Sequence, residues 1–290
     1  MLSRLGPELE LRRCGSSLGP SQFIEEEGIT LAQAEGFKRD FASFGVKVSH
    51  DKILDTIIKN QRLIKSDDEI AMIKKAQQIT EEAYTEVLNY VKPEVTEREI
   101  ALELEYLMRK KGADGVSFNL ITISGKNTSL PHGVPGDNII KEGDFFLSDI
   151  GALYKGYHSD MTRTVAVKTA TDEMKEIYDI VLNAQLSALR VVKAGVKAGV
   201  VDKTARDFIS SYGYGELFGH STGHGVGLDI HEAPTVSINS ETILSKNMVI
   251  TVEPGIYIPD KFGVRIEDMV CVTANGYENF ASIDKSLVIV

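Results

Sequence analysis

Residues 147–164 read LSDIGALYKGYHSDMTRT, and two aspartates, Asp149 and Asp160, interrupt what is otherwise a pair of core strands joined by a turn. A buried carboxylate costs several kcal/mol unless something neutralises it. A tight hairpin centred between Tyr154 and Lys155 sets the two aspartates face to face. Like charges there repel and demand protons or cations.

The same arrangement recurs downstream. Residues 248–272, MVITVEPGIYIPDKFGVRIEDMVCV, form two strands about a turn centred on Asp260, which places Glu253 opposite Glu267. A bulge in either turn shifts the register by one residue. A shared proton can serve one acidic pair, but not two pairs accompanied by histidine. Residues 219–232, GHSTGHGVGLDIHE, supply His220, His224 and His231 in a glycine-interleaved run that reads as strand and turn. A single histidine is more often an ordinary packed group than a ligand, and His158 is placed in that class. Four carboxylates with one imidazole make a hard, oxygen-rich set suited to two divalent ions such as manganese, cobalt, iron or zinc. Two metals also balance the charge of the four acids, and bridging carboxylates would hold the ions about 3.5–4 Å apart.

Working outward, Ser66 and Glu69 form a capping box ahead of a helix to about Tyr90 whose apolar positions Ile70, Ile73, Ala76, Ile79 and Ala83 share one face. Thr96 and Glu99 cap a second helix, from about Glu97 to Lys111, which Gly112 stops, and residues 116–125 follow as a strand. Residues 171–195 and 201–213 repeat the order of long helix and shorter helix before further apolar strands. The faint likeness between 91–115 and 192–216 suggests two α/β halves related by internal symmetry, although such orders also recur by chance.

The 290 residues, 42% hydrophobic, suffice for a substantial core. The formal charge of -10, with no block of Lys or Arg, argues against nucleic acid as a partner. Cys14 and Cys271 lack close partners and read as reduced thiols. No apolar run reaches membrane-spanning length, so a soluble cytoplasmic protein is expected. Residues 1–20 lack helix or strand periodicity and read as a disordered tail.

In order along the chain, SLPHGVPGD (129–137), DIGALYKGYHSDMTRT (149–164), TGHGVGLDIHEAP (222–234), TVEPGIY (251–257) and GVRIEDMV (263–270) resemble the pita-bread metallopeptidases, in the Xaa-Pro aminopeptidase and prolidase branch. The resemblance runs over about residues 60–290. It implies an α/β catalytic domain, residues 66–290, of two pseudo-symmetric helix-helix-sheet halves curved around a dinuclear site holding two divalent metals, most often manganese or cobalt. Asp149 would hold one metal, His224 and Glu253 the other, and Asp160 and Glu267 would bridge both. His132 and His231 would bind substrate and assist proton transfer. Arg265 would hold the Glu267 carboxylate, with His220 as a pocket wall and Tyr257 as a supporting hydroxyl.

The implied reaction is hydrolysis of the N-terminal Xaa-Pro bond by a hydroxide generated between the metals, with Glu253 as general base and then acid. The partners implied are peptides with proline in second place, with neither nucleic acid nor membrane. Residues 21–65 resemble only the closing part of the family's N-terminal domain, so the chain is expected to carry a shortened one. That domain helps form the family's dimer, which makes a homodimer a further expectation. Methionine aminopeptidase is the rival within the fold, but EPGIY and RIED have the Xaa-Pro form. A metal-independent creatinase-like enzyme and an inactive binding module are both disfavoured by the complete ligand set.

Overall fold

Ser66 accepts a hydrogen bond from the Glu69 N–H, and the Glu69 carboxylate accepts one in return from the Ser66 N–H, at 2.8 Å. This reciprocal cap starts a helix, and Thr96 with Glu99 starts the next in the same way. These local devices are the first features of the computed structural model, which describes residues 21–23, 29–49 and 53–290. The expected tail at 1–20 lies outside the described residues, as does Cys14.

Two compact units divide at Asn60 and Gln61. In the first, strands β1 (Ser21–Phe23) and β2 (Lys47–Ser49) pair in parallel, and helix α1 (Leu31–Ala42) buries Ala34 against Val48. Helix α2 spans Ile53–Leu63.

The second unit begins within the last turn of α2 and continues with α3 (Asp67–Val87) and α4 (Glu97–Lys110). Strands β3 (Gly115–Val116), β4 (Ile121–Ser124), β5 (Phe145–Ile150), β6 (Ala152–Tyr154), β7 (Tyr157–His158) and β8 (Met161–Ala166) follow. They form two three-stranded sheets, ordered β3-β6-β7 and β4-β5-β8. The plan then repeats with α5 (Asp172–Val191), α6 (Ala198–Ser211), β9 (Gly223–Gly225), β10 (Glu232–Val236), β11 (Val249–Val252), β12 (Gly255–Ile258), β13 (Phe262–Arg265), β14 (Asp268–Val272) and β15 (Tyr277–Asn279). Their sheets are β10-β9-β11-β14-β15 and β12-β13. Each helix pair buries its apolar stripe on its own sheets. Ile79, Ile100 and Leu104 pack with Phe146 and Val165, while Ile177, Val201 and Ile209 pack with Ile250 and Val264. A fully buried side chain of this kind contributes about 1.5–3 kcal/mol. Among the described residues, no helix is long and apolar enough to cross a membrane.

The register of the second acidic hairpin is the one expected. Val252 pairs with Asp268 and Gly255 with Arg265, so Glu253 and Glu267 lie opposite each other where both strands break. The first hairpin corrects the expectation. Asp149 pairs with Thr162, not with Asp160, and Tyr154 pairs with Tyr157. The turn is therefore centred between Lys155 and Gly156, which both adopt positive φ, 49° and 83°. A two-residue turn of that hand matches strand twist, and glycine takes the second position without steric cost. At Gly151 the hairpin changes sheet, and a Cβ there would overlap the Ser159 carbonyl oxygen. Asp160, just beyond the break, is released from the ladder and turned towards the second half.

Candidate metal centre

Strand ends bring the acids together. Asp149 lies near the end of β5 and Asp160 just before β8, while Glu253 follows β11 and Glu267 precedes β14. His224 stands at the middle of β9, which pairs with β11 through Gly225 and Ile250. Single ligand atoms of Asp160, His224 and Glu267 lie within 4.8 Å of one another. His224 Nε2 is 3.5 Å from Asp160 Oδ2 and 3.4 Å from Glu253 Oε1. Its Nδ1 lies 3.0 Å from the Gly225 carbonyl oxygen, which can only accept, so the proton sits on Nδ1 and the Nε2 lone pair faces the acids.

The electrostatics are those of a centre built for cations. Burial raises the Asp160 carboxyl well above its usual range, and Glu267 and Asp149 push it further. Burial likewise raises Glu267, with Glu253 and Asp149 adding to the shift. Glu253 is lifted to about 8, chiefly by burial, and His224 falls to about 4 for the same reason. Among the described residues, Asp149 Oδ1, Asp160 Oδ1 and Glu267 Oε1 are buried without hydrogen-bond partners. Buried acceptors of this kind are costly unless satisfied. Hard oxygens, an imidazole lone pair and orphaned buried acceptors fit divalent metal ions.

Neighbouring groups hold the acids in place. Arg265, expected beside Glu267, forms its ion pair with Asp149 instead, Nη2 to Oδ2 at 2.5 Å. Its hydrogen-bonded link to Glu267 runs through Thr162, whose hydroxyl accepts from Arg265 Nε at 3.1 Å and donates to Glu267 Oε2 at 2.6 Å. The Thr251 hydroxyl donates to Glu253 Oε1 and accepts from the His224 N–H, each at 3.1 Å. Sequence reasoning missed both threonines. The signal was available, since Thr162 stands two residues after Asp160 and Thr251 two before Glu253, and strand residues two apart share a face.

A cavity of about 340 Å³ opens onto these groups, walled on its apolar side by Phe118, Ile121 and Ile230. The solvent-facing His132 and His231 both line it, and the His231 ring meets the His224 ring edge to face at 4.4 Å. His220 also lines it, and the buried Tyr257 hydroxyl links it to Arg265 at 2.7 Å on either side. The loop bearing His231 is tied down by Glu232, which accepts from Arg62 Nε at 2.8 Å and pairs with the buried Lys65 at 3.2 Å. His158 stands apart, its Nδ1 2.8 Å from the Ser117 hydroxyl.

Residues 71–274 match the model of metallopeptidase family M24. The chain belongs to that family. It is 43% identical over 265 residues to the Xaa-Pro dipeptidase of Pyrococcus horikoshii, covering 91% of this chain and 75% of the relative. An uncharacterized peptidase of Bacillus subtilis, YqhT, is 43% identical over 262 residues, 88% of this chain and 74% of the relative. Among solved structures, the Xaa-Pro dipeptidase from Bacillus anthracis superposes with a TM-score of 0.89 at 44% identity, covering 93% of this chain and 75% of that one. An X-Pro aminopeptidase from Thermotoga maritima gives 0.87 at 41% identity, with the same coverage. The pita-bread fold and the Xaa-Pro aminopeptidase and prolidase branch expected from the motifs are thus borne out, and an M24 chain is a metal-dependent peptidase.

Proposed function

We propose that this chain hydrolyses the bond between an N-terminal residue and a following proline, using two divalent metal ions. The observation that carries the reading is the convergence of Asp149, Asp160, Glu253 and His224 on one cavity, with Glu267 beside Asp160 and His224 and three of these acids' oxygens buried without partners among the described residues. Relatives at 43% identity named Xaa-Pro dipeptidases supply the substrate class.

Asp149, His224, Glu253, Asp160 and Glu267 would together hold the two ions. The ions supply Lewis acidity, lowering the pKa of water and polarising the scissile carbonyl. Glu253 takes the proton of the attacking water on a carboxylate oxygen and returns it to the proline nitrogen. That delivery matters because a prolyl amide has no N–H and departs poorly until protonated. His231 steadies the developing oxyanion and His132 orients the substrate at the cavity mouth. Arg265, ion-paired with Asp149, keeps that carboxylate aimed into the cavity.

Manganese is the proposed metal, with cobalt, zinc and iron as alternatives. Residues 66–290 act as the catalytic domain and 21–65 belong to an N-terminal domain. The working form is a cytoplasmic homodimer.

The test is release of the N-terminal residue from Xaa-Pro-Yaa, Xaa-Pro and Met-Ala-Yaa by chelator-stripped protein reloaded with manganese. Restored cleavage confined to proline peptides supports the reading, and the preferred length separates aminopeptidase from dipeptidase. Cleavage of Met-Ala-Yaa alone, or metal binding without turnover, overturns it.

A further inference from the structure

Among the fully buried carboxylates outside the metal ligands, Glu97 and Asp202 each accept hydrogen bonds from a histidine-bearing loop. Glu97, the first residue of α4, has 0% exposure and, among the described residues, no cation within ion-pair distance. Its Oε1 accepts from Ser124 N at 2.8 Å, Ser124 Oγ at 3.2 Å, Asn127 Nδ2 at 3.0 Å and Asn138 Nδ2 at 2.8 Å. Its Oε2 accepts from Gly136 N at 3.3 Å. All these donors belong to the two ends of one loop, residues 124–138, and that loop carries His132. In the second half, Asp202 of α6 is equally buried. Its Oδ1 accepts from the N–H and hydroxyl of Thr222, and Arg206 bridges it to the Phe218 and His220 carbonyl oxygens, each at 2.8 Å. The anchored loop here carries His220.

A buried charge is tolerated only when donors surround it, and for Glu97 those donors come from both ends of the one loop. Packing alone would be better served by an apolar side chain. The helix N-terminus further favours a negative charge at Glu97. We propose that Glu97 and Asp202 are paired positioning residues, one per half, each using the second helix of its half to set a histidine-bearing loop against the cavity. The catalytic consequence rests on the function proposed above, whereas the anchoring does not.

The experiment compares Glu97→Gln and Asp202→Asn with the parent by amide hydrogen exchange and by kinetics of the manganese-loaded protein. Glu97→Gln turns an acceptor into a donor, so loss of protection confined to residues 124–138 is expected. Asp202→Asn should loosen 218–222 alone. Misplacement of the histidine loop should lower kcat/KM about 10- to 100-fold. In a His132→Ala background, Glu97→Gln should cost little more, because both changes act through the same histidine. Unchanged exchange, exchange raised across the whole domain, or equal losses in both backgrounds would overturn the proposal. If Glu97→Gln does not fold, Asn138→Ala removes one exposed donor to Glu97 and gives the same local readout. The expected exchange pattern without turnover in any variant, parent included, refutes the Xaa-Pro reading and leaves the anchoring intact.

Discussion

His220 Nε2 and the Tyr257 hydroxyl lie 2.7 Å apart, and the direction of their hydrogen bond is settled by what flanks them. His220 Nδ1 lies 2.8 Å from the Ser221 carbonyl oxygen and must donate to it, so a neutral ring accepts at Nε2 from Tyr257. Burial, which lowers His220 to about 4, keeps the ring neutral. The tyrosine oxygen in turn accepts from Arg265 Nη1, and Arg265 Nη2 donates to Asp149. A single ordered chain thus runs from the cavity wall to a candidate metal ligand.

Tyr257→Phe removes the middle of that chain and leaves the His220 acceptor buried without its donor. The expected cost is about 1–3 kcal/mol of folding stability, the penalty for an unsatisfied buried polar group. Urea unfolding measures it, and a parallel fall in turnover tests whether Asp149 depends on the chain.

Thr162→Val preserves shape but strands both Glu267 Oε2 and Arg265 Nε, which share the threonine hydroxyl. Loss of such a supporting contact typically weakens metal binding about 10- to 100-fold. Competition with a chromogenic chelator reads the change directly, and an unaltered affinity would show that the hydroxyl does not orient Glu267.

Asp268 is fully buried and accepts from Arg163 at 2.8 Å, Gln185 at 3.1 Å, Asn279 at 2.9 Å and Lys285 at 2.5 Å. Asp268→Ala leaves the buried Arg163 guanidinium without its counter-ion. A loss of about 3–5 kcal/mol is expected in equilibrium unfolding. Lys285→Met, at the more exposed end of the same cluster, should cost much less.

The metal-free protein should lose stability as pH rises. Glu253 sits at about 8 when folded, against an ordinary 4.5, and Asp160 and Glu267 shift in the same direction. The folded state therefore binds more protons than the unfolded one, and that stability, present at acid pH, disappears as pH climbs through the folded value. His220 and His224 act oppositely, but only between about 4 and their ordinary 6.5. From about pH 6.5 to about 8 the carboxyls dominate, so the urea midpoint of chelated protein should fall across that interval. With metal bound, the decline should vanish, because the cations replace the protons. A midpoint that rises across the interval without metal would contradict this account.

The features legible along the chain were local or periodic. Ser66 with Glu69 and Thr96 with Glu99 cap helices through contacts three residues apart, so α3 and α4 could be read directly, to within three residues at their ends. Glu253 opposes Glu267 because regular pairing runs on both sides of the break, through Val252 with Asp268 and Gly255 with Arg265. The first hairpin escaped by one step because positive φ at both Lys155 and Gly156 sets its centre, and nothing in the side-chain alternation announces that choice. Long-range packing set the pairing of Arg265 with Asp149, the link from Arg265 through Thr162 to Glu267, and the hydrogen bonds of Glu97 and Asp202 to the histidine loops. Those contacts join groups distant along the chain, and their partners are selected by which buried polar atoms the packing of two halves leaves to be satisfied.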